Sequence, residues 1–245
     1  MTWKGYNDLA WTERIIAPPE EYEEEVRGYI DAIKKHTTLD CKTMLHFGSG
    51  AGGHDFHFKK HFDVTGVDIS DGMLEIAKER NPEVTYIKGD MRTIALGEKF
   101  DVVMIPDSIM YMTTEEEAEQ AVQNAAKHCK RNGVILIVTH PKESFHENNF
   151  AYNGAKDNVH ITIFENNYIT SDKTYEAAMV FLIRENGKLS IHQDVHTLGL
   201  FSYETWQDFF KKQKLNVHEM DMNDLYDEWL LDYGKYKLKA FILTF

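Results

Sequence analysis

Apolar and polar positions follow two different rhythms along the chain. From Thr43 to His140, short apolar runs are separated by helix-length amphipathic stretches. The runs are Thr43–Phe47, Val64–Ile69, Val84–Lys88, Phe100–Ile105 and Val134–Thr139. Runs of this length and composition suit strands buried on both faces, and their alternation with helices predicts a parallel sheet. Helices are predicted over Gly53–His61, Gly72–Arg80 and Thr114–Arg131. Thr113 or Thr114 can cap the last, acidic residues occupy its first turn, and Asn132-Gly133 ends it. Upstream, Pro19–His36 reads as an acidic amphipathic helix, preceded by an aromatic arm bearing Trp3, Tyr6 and Trp11.

After Pro141 the pattern becomes β-rich. Val159–Thr170, Thr174–Glu185 and Lys188–Phe201 are long runs separated by turn signals at Ser171-Asp172 and Asn186-Gly187, the latter a favoured hairpin dipeptide. They predict an antiparallel platform inserted before a helix over Tyr203–Lys214. Two strands follow, Leu215–Met222 and Lys237–Phe245, joined by a long polar connection. The expectation is one α/β domain over residues 1–245. Residues 1–40 form an N-terminal arm and helix, and residues 141–201 hold the inserted platform.

Composition narrows the function. The chain has 245 residues, and its 27 Lys and Arg against 40 Asp and Glu leave a formal charge of −13. Such a surface repels phosphate backbones, so a nucleic-acid partner is not expected. No apolar run reaches the ~18 residues of a membrane span, and the first twenty residues lack the apolar stretch of a secretory signal. Two cysteines, Cys41 and Cys129, are too few for a disulfide framework or a four-cysteine zinc site. A cytoplasmic enzyme acting on a small molecule, with no membrane partner, is expected.

The chemistry concentrates at the predicted strand ends. Gly48-Ser49-Gly50-Ala51-Gly52-Gly53 follows the first strand, where glycine tolerates positive φ and lets a ligand approach the backbone. Gly48, Gly50 and Gly53 also satisfy the dinucleotide pattern G-x-G-x-x-G, and a glycine-rich turn without a ligand is the plainer alternative. Asp68 ends the second strand, eighteen residues after Gly50, where a carboxylate can accept both ribose hydroxyls. Gly89-Asp90-Met91 follows the third strand, offering an acid for an adenine amine and an apolar cover for the ring. Pro106-Asp107-Ser108 leaves the fourth strand at the same sheet edge.

These residues resemble the class I S-adenosylmethionine-dependent methyltransferases. The resemblance runs through the glycine loop, Gly66-Val67-Asp68-Ile69-Ser70-Asp71-Gly72-Met73-Leu74, Gly89-Asp90-Met91-Arg92 and Phe100-Asp101-Val102-Val103. Glu79-Arg80-Asn81-Pro82, Ser108-Ile109 and the inserted platform resemble more narrowly the branch containing the amino-sugar N,N-dimethyltransferases. The family implies a Rossmann-like seven-stranded sheet closed by an antiparallel pair, with S-adenosylmethionine as cofactor. By that resemblance Gly48, Gly50 and Gly52 face the cofactor's methionine portion and Asp68 holds the ribose. Ile69 and Met73 would sandwich adenine, Asp90 and Met91 would read its edge, and Pro106 borders the site. His46 stands where the family usually has an acid, and Ser49 where a cysteine is common. A histidine occupies the Tyr111 position in the amino-sugar enzymes.

Methyl transfer from a sulfonium is an in-line displacement, so positioning supplies much of the catalysis. Aromatic faces can hold the cation, and Tyr6 and Tyr22 precede the glycine loop where they could close over it. For Trp11, packing of the arm onto the sheet is the favoured reading. Tyr111 and Asp107 are the candidates for orienting or accepting from a substrate, and His140, ending the fifth strand, is a candidate base. Tyr175 and His196 lie on inserted strands whose facing the alternation leaves open. His54, His57 and His61 are spaced as a metal could use, but the pattern is not H-E-x-x-H, and no metal is expected. Tyr152-Asn153-Gly154-Ala155-Lys156 matches a dehydrogenase spacing by coincidence, since Asn-Gly opposes the helix that spacing needs. The leading expectation is methylation of a small molecule at nitrogen. The alternatives are another displacement on the same cofactor, such as cyclisation of its aminopropyl chain, an NAD-dependent oxidoreductase, and a non-catalytic binding module.

Overall fold

The computed structural model describes residues 3–222, 225–231 and 236–245. In chain order, a short helix α1 (Glu13–Ile16) and the amphipathic α2 (Glu23–His36) lead into β1 (Thr43–Phe47), α3 (Asp55–Phe58) and β2 (Asp63–Asp68). There follow α4 (Asp71–Arg80), β3 (Thr85–Lys88), β4 (Phe100–Ile105), α5 (Glu115–His128) and β5 (Cys129–Thr139). The strands β6 (Asn148–Lys156), β7 (Val159–Ile169), β8 (Thr174–Glu185) and β9 (Lys188–Gly199) form the insertion. The chain continues through α6 (Tyr203–Lys212), β10 (Asn216–Met222) and β11 (Leu238–Thr244). The predicted polar connection between the last two strands falls partly outside the described residues.

The main sheet has seven strands in the order β10-β11-β5-β4-β1-β2-β3, with β11 antiparallel to both neighbours and the rest of the β1–β5 ladder parallel. Strand alternation divides the core. Met44 and Met104 face α2, while Leu45, Phe47, Val103 and Ile105 face α5 and α6 with Trp206 and Phe210. Order reverses between β1 and β4, and ligands of open α/β sheets bind at such a reversal, outside the strands' C-terminal ends. The glycine loop after β1 and the Pro106–Tyr111 segment after β4 meet there.

The insertion is a separate antiparallel sheet, β6-β7-β8-β9, with one strand more than the sequence pattern predicts. Strand β6 reads as polar because the N-terminal arm covers it. A Cβ on Gly154 would lie 2.5 Å from the Ile15 carbonyl, so glycine allows α1 to rest on this strand. Tyr152 and Lys156 therefore sit on a strand, not one turn apart on a helix. Trp11 packs with Ile161, Ile163, Phe181 and Ile183 of the platform, as a packing role requires. A second difference is the end of α5, which stops at His128. Asn132-Gly133 lies instead in β5 at a register shift against β4, where a Cβ on Gly133 would meet the Asp101 carbonyl at 2.5 Å.

Replacing Gly154 with Val should lift the arm from β6 and cost about 1–3 kcal/mol, the usual range for overpacking. Limited proteolysis should then cut residues 3–17 faster while the main sheet keeps its protection, and an unchanged cleavage rate would remove the close approach as a constraint.

Candidate active site

The glycine loop is shaped by its own backbone. Gly48 and Ser49 donate to the Val67 carbonyl at 2.7 and 3.1 Å, and Gly48, Gly50 and Gly52 all have positive φ, 69°, 52° and 73°. A Cβ on Gly48 would overlap the Ser108 side chain at about 2.2 Å, which ties the β1 loop to the β4 loop. A Cβ on Gly50 would enter open space. That free volume beside bare backbone is what a ligand cradle needs. Two buried polar atoms at the loop lack a hydrogen-bond partner, Ser49 Oγ and His46 Nε2. The other ring nitrogen of His46 bonds Asp55 at 2.6 Å, and Asp55 in turn accepts from Tyr86, which Asn81 ties back to the loop carbonyl of Gly52.

Asp68 sits beside this cradle. Its Oδ2 accepts from Gly50 N and its Oδ1 from Ser70 N, each at 2.8 Å, so the carboxylate is held in place with lone pairs remaining for a ligand. Burial raises its pKa, while the Ser70 and Gly50 amides oppose the rise. Ile69 is 55% exposed, an apolar surface next to Asp68 suited to a base. Met73 differs from expectation. It is only 3% exposed, packed among Ala10, Ala51, Ile76 and Tyr6, because the arm lies across the start of α4 and covers it. Asp90 is gripped by Arg92 through Nε and Nη2, which pulls its pKa down, and Met91 is buried near Gly48. Pro106 accepts from Ser108 N at 2.6 Å and turns the chain so that Asp107 takes a left-handed φ of 56°. A non-glycine residue in that region is strained, and strain of this kind clusters at functional sites.

Tyr6 and Tyr22 both come to the site. The Tyr6 carbonyl accepts from Ser70 Oγ at 2.5 Å, pinning the arm two residues from Asp68. Tyr22 approaches Gly53 so closely that a Cβ there would lie 2.5 Å from its ring, and it packs on His54 at 4.6 Å between centroids. Both border a cavity of about 620 Å³ between the arm, the start of α2 and the platform.

A relay of hydrogen bonds crosses this cavity's wall. Tyr6 and Tyr111 hydroxyls are 2.5 Å apart, Tyr111 is 2.9 Å from His196 Nδ1, and His196 Nε2 is 2.9 Å from Asp194 Oδ2. Asp194 also accepts from Gly5 N at 2.8 Å. Burial pulls the His196 pKa below its usual value, with Asp194 pulling the other way, so the ring is neutral near pH 7. A neutral ring beside a carboxylate carries its proton on Nε2, leaving Nδ1 to accept from Tyr111. Tyr111 then accepts from Tyr6, and the Tyr6 oxygen keeps its lone pairs for the cavity. Burial holds both tyrosines protonated, raising their pKa values. Trp3 walls the relay, its ring 4.8 Å from Tyr111 and 5.3 Å from His196. Sequence reasoning noted Trp3 and His196 without a role and missed Asp194.

Asp107 faces the same region. Tyr226 donates to its Oδ2 at 3.2 Å, and its Oδ1 is buried without a hydrogen-bond partner. Burial and the Glu25 carboxylate raise its pKa to about 7, opposed by His54. His140 is placed differently from the candidate base the sequence suggested. Its Nδ1 donates to the Lys237 carbonyl at 2.8 Å and its Nε2 pairs with Tyr236 at 2.7 Å. Burial drops its pKa to about 4, so both nitrogens are committed to holding β5 near the start of β11. Among the described residues no cluster of potential ligands could hold a metal ion, and His54 instead pairs with Glu25 at 3.2 Å.

The strand order is that of an α/β fold of the methyltransferase kind, with the glycine loop and Asp68 at its ligand-binding edge as the candidate nucleoside site. Residues 44–133 match the family described as a methyltransferase domain. The chain carries a methyltransferase domain over these residues and is similar over most of its length to S-adenosylmethionine-dependent methyltransferases of class I, whose activity and cofactor it shares. It is 28% identical over 207 residues to the dTDP-3-amino-3,4,6-trideoxy-alpha-D-glucopyranose N,N-dimethyltransferase of Streptomyces venezuelae, covering 82% of this chain and 86% of that one. Over 112 residues, 45% of each chain, it is 35% identical to the dTDP-4-amino-2,3,4,6-tetradeoxy-D-glucose N,N-dimethyltransferase of Saccharopolyspora spinosa. The crystal structure of Streptomyces venezuelae DesVI superposes with a TM-score of 0.79 at 25% identity, covering 97% of this chain and 95% of that one. The oxidoreductase and non-catalytic alternatives give way to this assignment, and cyclisation of the aminopropyl chain gains no support from these relatives. No helix among the described residues is long and apolar enough to cross a membrane.

Asp68→Ala removes the two oxygens expected to accept from ribose hydroxyls, each a charge-assisted bond of ~1.5–3 kcal/mol. Calorimetric titration should show S-adenosylhomocysteine binding weakened at least about tenfold, since ~1.4 kcal/mol is a factor of ten. In the wild-type protein that ligand should raise Tm while NAD does not. Normal binding by the variant would overturn the ribose role.

Proposed function

We propose that the enzyme methylates an amine nitrogen of a small molecule, as the activities of its amino-sugar relatives suggest. The observation that carries this reading is the relay ending at Tyr6, whose oxygen offers a hydrogen-bond acceptor to the cavity. An amine N–H directed at that oxygen has its lone pair turned elsewhere and fixed in direction. Alignment of the lone pair is most of what an in-line displacement asks of a protein.

The residues fit the cofactor. The open face of Gly50, the anchored carboxylate of Asp68 and the exposed Ile69 would hold its nucleoside, and the orphaned Ser49 Oγ and His46 Nε2 would meet its methionine end. When bound, S-adenosylmethionine would supply an electrophilic methyl group for the acceptor's lone pair, with S-adenosylhomocysteine as the leaving group. Tyr6 orients the acceptor, and Tyr111 and His196 hold Tyr6 by keeping its proton turned inward. Asp107 Oδ1 is the group able to take the surplus amine proton. Its pKa of about 7 puts it near the optimum for a base at neutral pH. By the resemblance to the amino-sugar enzymes a histidine is expected at the Tyr111 position, and here β9 brings His196 to that tyrosine instead.

Incubation with methyl-labelled cofactor and a small-molecule extract tests the reading. The label should appear on an amine nitrogen together with S-adenosylhomocysteine. Label on oxygen or carbon would refute it.

Tyr111→Phe breaks the relay at its centre. Turnover should fall ~100-fold, the lower range for a group acting on proton position, while S-adenosylhomocysteine affinity stays nearly intact. Wild-type turnover in Phe would leave Tyr111 as packing alone.

Asp107 generates a pH dependence of definite sign. As pH rises through about 7 its carboxylate forms and can accept, so kcat/KM should climb with an apparent pKa near that value. The Asp107→Asn variant should lose that limb, and a variant profile that still climbs through the same pH would assign the limb to another group.

A further inference from the structure

The inserted platform covers one of its faces and leaves the other bare. Successive side chains of a strand point to opposite faces. The inner face carries Ile163, Phe181, Asp194 and His196 against the arm and the relay. By the pairing register, Phe164, Tyr168, Val180, Leu189, Ile191 and Val195 then share the outer face. They are 39–62% exposed, and they are six of the ten large apolar side chains exposed among the described residues. An apolar surface this contiguous marks an interface, because single exposed apolar residues scatter.

Its size points to a partner with a broad, flat surface. Four strands of 9–12 residues form the sheet. At a spacing of ~4.8 Å and a rise of ~3.4 Å per residue, each face presents roughly 700 Å². A standard interface takes ~800 Å² from each partner, so the outer face is about one half of a dimer contact.

The charges say which partner fits. The chain carries a formal −13, yet the outer-face strand positions hold one carboxylate, Glu176, one guanidinium, Arg184, and no lysine. Among the described residues neither is in an ion pair, and Arg184 donates only to the Gly187 carbonyl of its own turn. Both lie on β8, and Val180 sits midway, four residues from each. A two-fold axis lying in the interface, perpendicular to the strands and passing over Val180, turns each strand back onto its copy. That axis sets Glu176 against the partner's Arg184 twice over, Ile191 against the partner's Val195, and the small Ala178 against the partner's Leu182. An axis along the strands would instead gather both glutamates at one end and both arginines at the other.

We propose that the outer face of the platform is a homodimer interface, with two copies of this chain packed sheet on sheet about the perpendicular axis. Such a contact is isologous, each patch meeting itself, as a two-fold requires. Packed sheets keep their strands within about 30° of alignment, an offset that long Glu and Arg side chains can span. The strands that meet the partner also carry Asp194 and His196 on their inner face, so the dimer supports the relay from behind.

Sedimentation equilibrium of the full chain at low salt should give twice the chain's mass. Val180→Asp places two carboxylates face to face on the axis and should give a monomer. Glu176→Arg sets arginine against arginine at both ends, and like charges so placed are costly. The dimer's dissociation constant should then rise at least about tenfold. Adding Arg184→Glu to that variant restores opposite charges and should bring the constant back to within about threefold of wild type. S-adenosylhomocysteine affinity within about twofold of wild type is the check on folding in every variant. A monomeric wild type would overturn the proposal, including one that sediments with phosphatidylcholine vesicles and so gives the face to lipid. A dimer that survives Val180→Asp, or a charge swap that fails to restore what Glu176→Arg weakens, would overturn it equally.

Discussion

A buried polar group must be matched along its whole chain of partners, and the chain from Asp194 to Tyr6 meets that demand by joining three parts of the protein. Asp194 and His196 belong to the platform, Tyr111 to the segment after β4, and Gly5 and Tyr6 to the arm. Removing any one part would strand polar atoms in a desolvated place, at a cost of ~1–3 kcal/mol per group. The arm is thus fixed where it can serve as a wall of both the cofactor site and the cavity. Ser70 completes the attachment, capping α4 through Met73 N while donating to the Tyr6 carbonyl.

The cofactor half depends on a different constraint, the reversal of strand order between β1 and β4. It brings the glycine loop and Asp107 to one edge and lets Ser108 occupy the space a Gly48 side chain would need. Asp101, in the quoted Phe100-Asp101 motif, serves that geometry from the other end. Its carboxylate accepts from Lys42 N and Thr43 N at 3.0 Å and binds Lys130, holding the start of β1 against β4. Burial opposes its ionisation, yet these donors bring its pKa down to about 2. The motif that looked like a family marker is a structural clamp remote from the chemistry.

Legibility followed the physics of each segment. Central strands buried on both faces read as apolar runs, so β1, β4 and the late part of β5 were plain, and glycine with Asp68 marked the strand edge where the candidate site lies. Strand β6 was hidden because its cover comes from the arm, and no local pattern records that. His196 could be placed on a strand but not on a face, since alternation gives phase and only the packing of Trp3 and Tyr6 gives direction. Met73 and His140 sit differently from expectation for a related reason. Their positions at strand and helix ends were right, but tertiary partners, the arm over Met73 and Tyr236 with Lys237 around His140, had already taken their contact surface.

The central claim is one of polarity: the proton on His196 sits on Nε2, so that Tyr111 donates to Nδ1 and the Tyr6 oxygen faces the cavity as an acceptor. Long-range nitrogen–proton correlation on selectively labelled histidine, recorded on the S-adenosylhomocysteine complex near pH 7, reads this directly. The account predicts a neutral ring with a protonated Nε2 and an unprotonated Nδ1, changing to the opposite or mixed tautomer in Asp194→Asn. A doubly protonated ring, or a proton on Nδ1 in the wild-type complex, would reverse the relay and contradict it.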